Sequence, residues 1–300
     1  MNINGKSYRI EISGSNAINF VQHLCSNDIS KIKIGKAQYN CLTNELGGII
    51  DDLIVYRIEI EKYLLVVNAS NISKDWEWIK KQNKDFNCSV INLSNEISLL
   101  AIQGPNAEEL CQKFTNENLS LLPNYSFTIS SFAGFKNIMI SKTGYTGSGG
   151  YELYIPNDSA IHIWDALFSN NEFDLKPIGL AARDTLRIEM GYCLYGNDID
   201  DTTSPIEAGL GWITKFNHSR SFIDRDFLMM QKTQSPASRS TSNCTGKRTV
   251  KQKRRASNGS CRPYTQNCNR QKRGLSSSMG PACSRDSFWR SAMALSFHSS

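Results

Sequence analysis

The chain has 300 residues, 40% apolar and 21% charged, which suits a soluble globular protein with two or three cores. No apolar run approaches the roughly 20 residues needed to cross a bilayer, and MNINGKSYRIEIS has neither a signal-peptide core nor an arginine-rich transit pattern, so the expected location is cytoplasmic. The net charge of +6 is uneven: residues 231–300 hold 14 Lys plus Arg and one acid, Asp286, leaving −7 on residues 1–230, so the basic character belongs to the tail.

Residues 6–13 alternate as a strand, and Ser15 is placed to cap a helix whose apolar stripe is Ala17, Phe20, Val21 and Leu24. Residues 37–56, AQYNCLTNELGGIIDDLIVY, read as two antiparallel strands around the turn residues Asn44 to Gly48. A strand at 63–68, a helix at 73–81 and a strand at 89–93 follow. That order, strand, helix, several strands, helix, strand, predicts a split βαβ layer, so residues 1–95 form one α+β domain.

A second α+β domain is predicted over residues 96–212. Residues 97–103 form a strand, and Pro105 opens a helix with Ala107, Leu110, Cys111 and Phe114 on its buried stripe. Strands at 125–130, 136–141 and 151–155 come next, then helices at 160–168 and 179–189. The glycine-rich TGYTGSGGYELY lacks a GxGxxG pattern or a Walker-type lysine and reads as a turn presenting Tyr145 and Glu152. Residues 213–231 begin a third segment, helical around 224–230.

The character then changes. Residues 232–300 contain one Val, no Ile and two Leu, with no periodicity before the short FWRSAMALSF patch. Such a stretch buries too little apolar surface to offset chain entropy, so disorder is expected. Nine of the fifteen arginines lie there, against a body rich in Ile, Asn and Lys, as a shifted reading frame would produce; translating the nucleotides past codon 231 in the other frames tests this. The rival reading is a basic arm, KRTVKQKRR, contacting nucleic acid or anionic lipid nonspecifically.

Asp51 and Asp52 interrupt a β-branched run, and strand alternation points them to opposite faces. One is expected to meet solvent or a turn donor and the other whatever the sheet covers; the two are not expected to share a site. A carboxylate on an apolar sheet face costs several kcal/mol unless paired, hydrogen-bonded or protonated, which makes this a candidate site. A carboxylate satisfied by the Gly-Gly turn is the alternative. No metal site is expected: His23, His162, His218 and His298 are scattered, and the nine cysteines have no ligand spacing. Cys25, Cys41, Cys88, Cys111 and Cys193 sit in apolar patterns and read as buried thiols.

AQYNCLTNELGGIIDDLIVY followed by YLLVVNASN resembles the aminomethyltransferase of the glycine cleavage system, the T-protein. AIQGP at 101–105, KTGYTGSGGYEL at 142–153, GLAARDTLRIEMGYCLYGNDID at 179–200 and PIEAGLGW at 205–212 extend the resemblance over most of residues 4–230. It implies tetrahydrofolate in a cavity between domains and an aminomethyl group delivered on the lipoyl arm of the H-protein. The resemblance makes Asp52 the residue tied most directly to chemistry, beside N5 of the folate. There a carboxylate stabilises iminium-like charge or relays a proton as ammonia leaves and methylenetetrahydrofolate forms.

Within that resemblance Glu152 accepts from the pterin ring, and Tyr39, Tyr56, Tyr145 and Tyr192 supply rings and hydroxyls, core packing being the alternative for each tyrosine. Arg183 offers a fork to a carboxylate of the folate tail or of the protein; an ion pair with a neighbouring helix acid is its alternative. Asn68 and Asn71 rank lower as pterin contacts. The family carries a further segment before the equivalent of residue 1 and a C-terminal barrel after FIDRDFL, so this chain is expected to lack both. The remaining alternatives are an acceptor module like those fused to sarcosine dehydrogenases and a folate-binding protein without transferase activity.

Overall fold

The computed structural model describes residues 8–216, 221–234 and 292–296. The first sheet contains β1 (Tyr8–Ser13), β2 (Lys36–Thr43), β3 (Ile49–Glu59), β4 (Lys62–Val67) and β5 (Ser89–Asn92) in the order β2-β3-β4-β1-β5, every pair antiparallel. Two helices, α1 (Ala17–Leu24) and α2 (Ile72–Gln82), cover one face. Alternation builds the core beneath them: Ile10, Ile12, Leu53, Val55, Leu65 and Val67 meet Phe20, Val21, Leu24 and Ile79. Asn16, not Ser15, is the N-cap of α1, and its side chain makes no capping bond.

The second sheet comprises β6 (Ile97–Gln103), β7 (Phe127–Phe132), β8 (Phe135–Ser141), β9 (Gly150–Pro156), β10 (Lys176–Ile178) and β11 (Ala292–Ser296), ordered β10-β11-β6-β9-β8-β7. Its outer face, with Leu100, Ile102, Ile140, Leu153 and Ile155, packs on α3 (Ala107–Gln112) and α4 (Asn157–Ser169) through Leu110, Ile163 and Leu167. The inner faces of the two sheets meet in a separate core of Tyr56, Leu64, Val66, Leu99, Phe127, Met139 and Tyr154. Two layers that turn their second faces toward each other place any inward polar side chain between them.

The remaining helices are α5 (Leu180–Met190) and α6 (Arg225–Gln234). The segment after α5 is locked onto the first hairpin: Ile49 N donates to Asp200 O (3.2 Å) and Thr203 O (3.0 Å). A Cβ at Gly48 would lie 1.8 Å from Asp201 O, so only glycine lets the turn approach this closely.

Two expectations about residues 232–300 change. Residues 232–234 continue α6, and Ala292–Ser296 form a strand, parallel to β10 and antiparallel to β6. Those five residues belong to the one periodic patch of the tail, and they pair with backbone that β6 and β10 would otherwise leave open. The rest of the tail, and with it the expected disorder, lies outside the described residues. Among the described residues no helix is long and apolar enough to cross a membrane.

Candidate active site between the sheets

The β2–β3 ladder sets Leu42 opposite Asp51 and Cys41 opposite Asp52. Asp51 shares the helix-facing side with Leu53 and Val55 and is fully buried. It accepts from Asn68 N (2.8 Å), Asn68 Nδ2 (2.9 Å) and Asn71 Nδ2 (2.6 Å). Asp52 shares the inward side with Tyr56 and is half-buried. Tyr39 Oη donates to its Oδ2 at 2.8 Å, and Asn68 Nδ2 to its Oδ1 at 2.8 Å.

The alternation therefore holds, but neither acid turns to solvent, and the two do share a partner. The reason is local: β4 ends at Val67, and the side chain of Asn68 reaches both carboxylates from that strand end. Asn71, ranked as a pterin contact on sequence, is buried on the helix side with its amide committed to Asp51. Burial, and behind it the charge of Asp51, push the Asp52 carboxyl up to about 7 against the lowering effect of the Tyr39 and Asn68 bonds. Burial and the Asp52 charge also hold the Tyr39 hydroxyl protonated, raising it well above its ordinary range.

From the opposing sheet, β9 alternates Leu153 outward and Glu152 inward, beside Tyr154. Thr143 Oγ1 donates to Glu152 Oε2. Burial raises the Glu152 carboxyl, while the Thr143 bond and the charges of Arg183 and Arg9 oppose the rise. Thr143 also joins a hydroxyl cluster with Ser141 Oγ (2.9 Å) and Tyr56 Oη (3.2 Å); Tyr56 Oη is 3.0 Å from Tyr154 Oη. Tyr56 has no exposed surface and stands edge-on to Phe127 and Tyr154. It is a core residue that reaches Glu152 through Thr143, and does not line a cavity.

Tyr145 lies in the turn between β8 and β9. Its ring stacks on Tyr192 at 5.8 Å, and its hydroxyl donates to Cys193 O. The Arg183 guanidinium sits 4.5 Å from the centre of that ring. Tyr145 is within electrostatic reach of both Asp52 and Arg183, which ties the two halves of the site together. Tyr39 lies toward Trp212, ring centres 6.1 Å apart.

The helix ion pair weighed for Arg183 belongs instead to Arg187, one turn on. Arg187 Nε donates to Asp184 Oδ1 at 2.7 Å, and Nη1 donates to Asp198 Oδ2 and to Tyr192 O at 3.0 Å. Among the described residues Arg183 forms no ion pair. Sequence reasoning missed Arg187 because both arginines stand among acids on one helix, and nothing in the spacing says which one turns inward. Thr143 was equally unmarked, although a hydroxyl two residues before Tyr145 at a strand end is a common neighbour for a buried acid. No cluster of His, Cys, Asp and Glu suited to a metal occurs among the described residues.

Residues 6–218 match the family model of the GCVT N-terminal domain. Among curated proteins named aminomethyltransferase, the one from Bacteroides fragilis is 55% identical over 224 residues, covering 74% of this chain and 62% of that protein. The one from Flavobacterium psychrophilum is 56% identical over 227 residues, covering 75% and 62%. This chain thus spans about 62% of the length of the curated relatives it matches. The crystal structure of glycine cleavage system aminomethyltransferase T from Bartonella henselae superposes with a TM-score of 0.70 at 32% identity, over 78% of this chain and 63% of that one.

Proposed function

The chain belongs to the family of the GCVT N-terminal domain, and from that premise we propose that it is a tetrahydrofolate-dependent aminomethyltransferase of glycine cleavage. It takes the one-carbon unit from the aminomethyl-lipoyl arm of the H-protein, releases ammonia and works in the cytoplasm. The observation that supports this reading best is the pair of inward carboxyls, Asp52 and Glu152, on facing sheets, with Arg183, which forms no ion pair among the described residues, beside Tyr145.

The residues fit a reduced folate. A carboxylate has about four lone-pair positions. Each oxygen of Asp52 accepts one side-chain bond and Glu152 accepts one, from Thr143, so acceptor capacity remains for N–H groups along a pterin edge. The Tyr145–Tyr192 stack supplies an aromatic face, and Arg183 supplies a fork for the anionic tail.

Tetrahydrofolate supplies the nucleophilic nitrogen that receives the one-carbon unit. Asp52, once ionised, stabilises the positive charge that develops as the amine leaves. With burial and the Asp51 charge pushing its carboxyl up to about 7, it also holds and releases a proton at neutral pH. Tyr39 and Asn68 fix the direction of its two oxygens. Glu152 orients the pterin edge, and Arg183 anchors the tail.

The test is titration with tetrahydrofolate, then turnover with a lipoylated, aminomethylated carrier. Asp52→Asn is expected to keep folate binding and to lower turnover roughly 100-fold or more, the scale of one electrostatic or acid–base group. Unchanged turnover removes Asp52 from the mechanism. Folate binding without transfer by the native chain identifies a binding module instead.

A further inference from the structure

Behind Asp52, on the helix side of the sheet, lies a second carboxyl that the reading above does not use. Asp75, in the first turn of α2, has no exposed surface. Neither of its oxygens finds a hydrogen-bond donor. The group that meets it is the carboxyl of Asp51. Two ionised carboxylates in contact present only acceptors to each other and repel; one proton between them turns the same contact into a hydrogen bond. Asp51 already accepts three N–H bonds from Asn68 and Asn71, whereas Asp75 accepts none. With one proton on the pair, these bonds favour its place on Asp75.

We propose that Asp75 donates this proton to Asp51, so that the buried pair carries one negative charge, and that Asp75 is thereby a positioning residue for Asp52. The connection runs through Asn68. Its backbone N–H and amide bind Asp51, and the same amide nitrogen donates to Asp52 Oδ1 at 2.8 Å and Asp52 O at 3.0 Å. A second charge on the pair would push Asp51 off these donors and release Asn68, leaving Asp52 oriented by Tyr39 alone.

The other charged or titratable groups around the pair fit a single charge. Lys74, the neighbour of Asp75 on α2, donates its Nζ to Tyr195 Oη at 2.6 Å, 4.0 Å from the centre of that ring, and makes no ion pair with either acid among the described residues. Tyr195 faces the pair from the segment after α5, with burial holding its hydroxyl protonated. Cys41, opposite Asp52 on β2, lies on the other face of the sheet and is held as a thiol, by burial first. Burial first, then the Asp51 charge, raise Asp75 to about 10, against a lesser opposing effect of Lys74.

Only the consequence for turnover rests on the proposed transferase reading; the shared proton does not. The measurement is carbon-13 NMR of the full chain labelled at aspartate carboxyl carbons, from pH 5 to 10, with Asp52→Asn and Asp75→Asn variants for assignment. One resonance is expected at the protonated shift at pH 7, still there at pH 8.5 and missing from Asp75→Asn. The Asp52 midpoint is expected to move by less than about 0.5 unit in Asp75→Asn, because the amide replaces a neutral acid. A fall of about one unit or more would mean that a charge had been removed, and would overturn the proposal. Should Asp75→Asn fail to fold, the native spectrum decides: all aspartates other than Asp52 ionised at pH 7 overturns it. If turnover is measurable, Asp75→Leu should lower kcat about tenfold or more with little change in KM for folate. An absence of turnover in the native chain counts against the transferase reading and leaves the carboxyl spectra to judge the proton.

Discussion

Glu152 carries a full carboxylate's acceptor capacity and has a single hydroxyl, Thr143, bonded to it. Replacing it by glutamine keeps the shape and lets Thr143 donate to the amide oxygen, but substitutes an N–H donor where the proposed pterin edge would present N–H groups. Glu152→Gln is therefore expected to weaken tetrahydrofolate binding roughly 10- to 100-fold, about 1.5–3 kcal/mol, with the thermal midpoint nearly unchanged. Isothermal titration checks the affinity, and equal affinity would place the pterin elsewhere. The inward placement of Asp52 was legible in the sequence because it is an acid in an apolar strand, where ionisation demands a reason; Glu152 was marked instead by the glycine-rich turn before it and by the family resemblance. Tyr56 was not, since a tyrosine that lines a cavity and one that cross-links a core have the same neighbours in sequence. Asn68 was underrated for a related reason: its importance comes from standing at a strand end beside both acids, which only pairing register reveals.

At the scale of elements, α5 matters through what its last turn holds. Arg187 is 4% exposed and binds Asp184, Asp198 and the Tyr192 carbonyl. It therefore fixes the segment whose Cys193 carbonyl accepts from Tyr145. Arg187→Ala would leave Asp198, with 17% of its side chain exposed, without its cation; breaking one partner of such a pair costs about 3 kcal/mol. The variant is expected to unfold at lower urea and to lose folate affinity with it. A stable variant with intact binding would show that the 192–198 segment holds itself. The helices, the first hairpin and the antiparallel layers were readable from apolar periodicity and turn residues, with ends displaced by one to a few residues. What periodicity could not supply was the direction of one arginine rather than its neighbour, or the pairing of β11, which depends on residues about two hundred positions away.

For the whole molecule, the raised carboxyls set the response of stability to pH. Asp52 is shifted to about 7 and Asp75 to about 10, both mainly by burial. In the unfolded chain such groups ionise near 4. The native state then holds protons that the unfolded state has released, so the contribution is complete below pH 4 and declines as pH rises, levelling near 7 for Asp52 and near 10 for Asp75. Each bound proton is worth about 1.4 kcal/mol per pH unit, so stability should be lower at pH 8.5 than at pH 5.5 by about 6 kcal/mol, some two thirds of it from Asp75, which keeps its proton over the whole interval. Urea unfolding at the two pH values checks this, and Asp75→Asn should flatten the slope. A stability that rises over this interval would contradict the assigned charges.

The sheet order also has a consequence for biosynthesis. The first sheet has all its strands once residue 92 has been made, whereas the slot between β6 and β10 waits for residues 292–296. At 5–20 residues per second that interval lasts on the order of tens of seconds. Throughout it, the nascent chain presents the Leu99–Gln103 backbone as a vacant edge that another extended polypeptide can join. This protein's exposure to mispairing on the ribosome is thus set by how far its last strand lies from the first strand of that sheet.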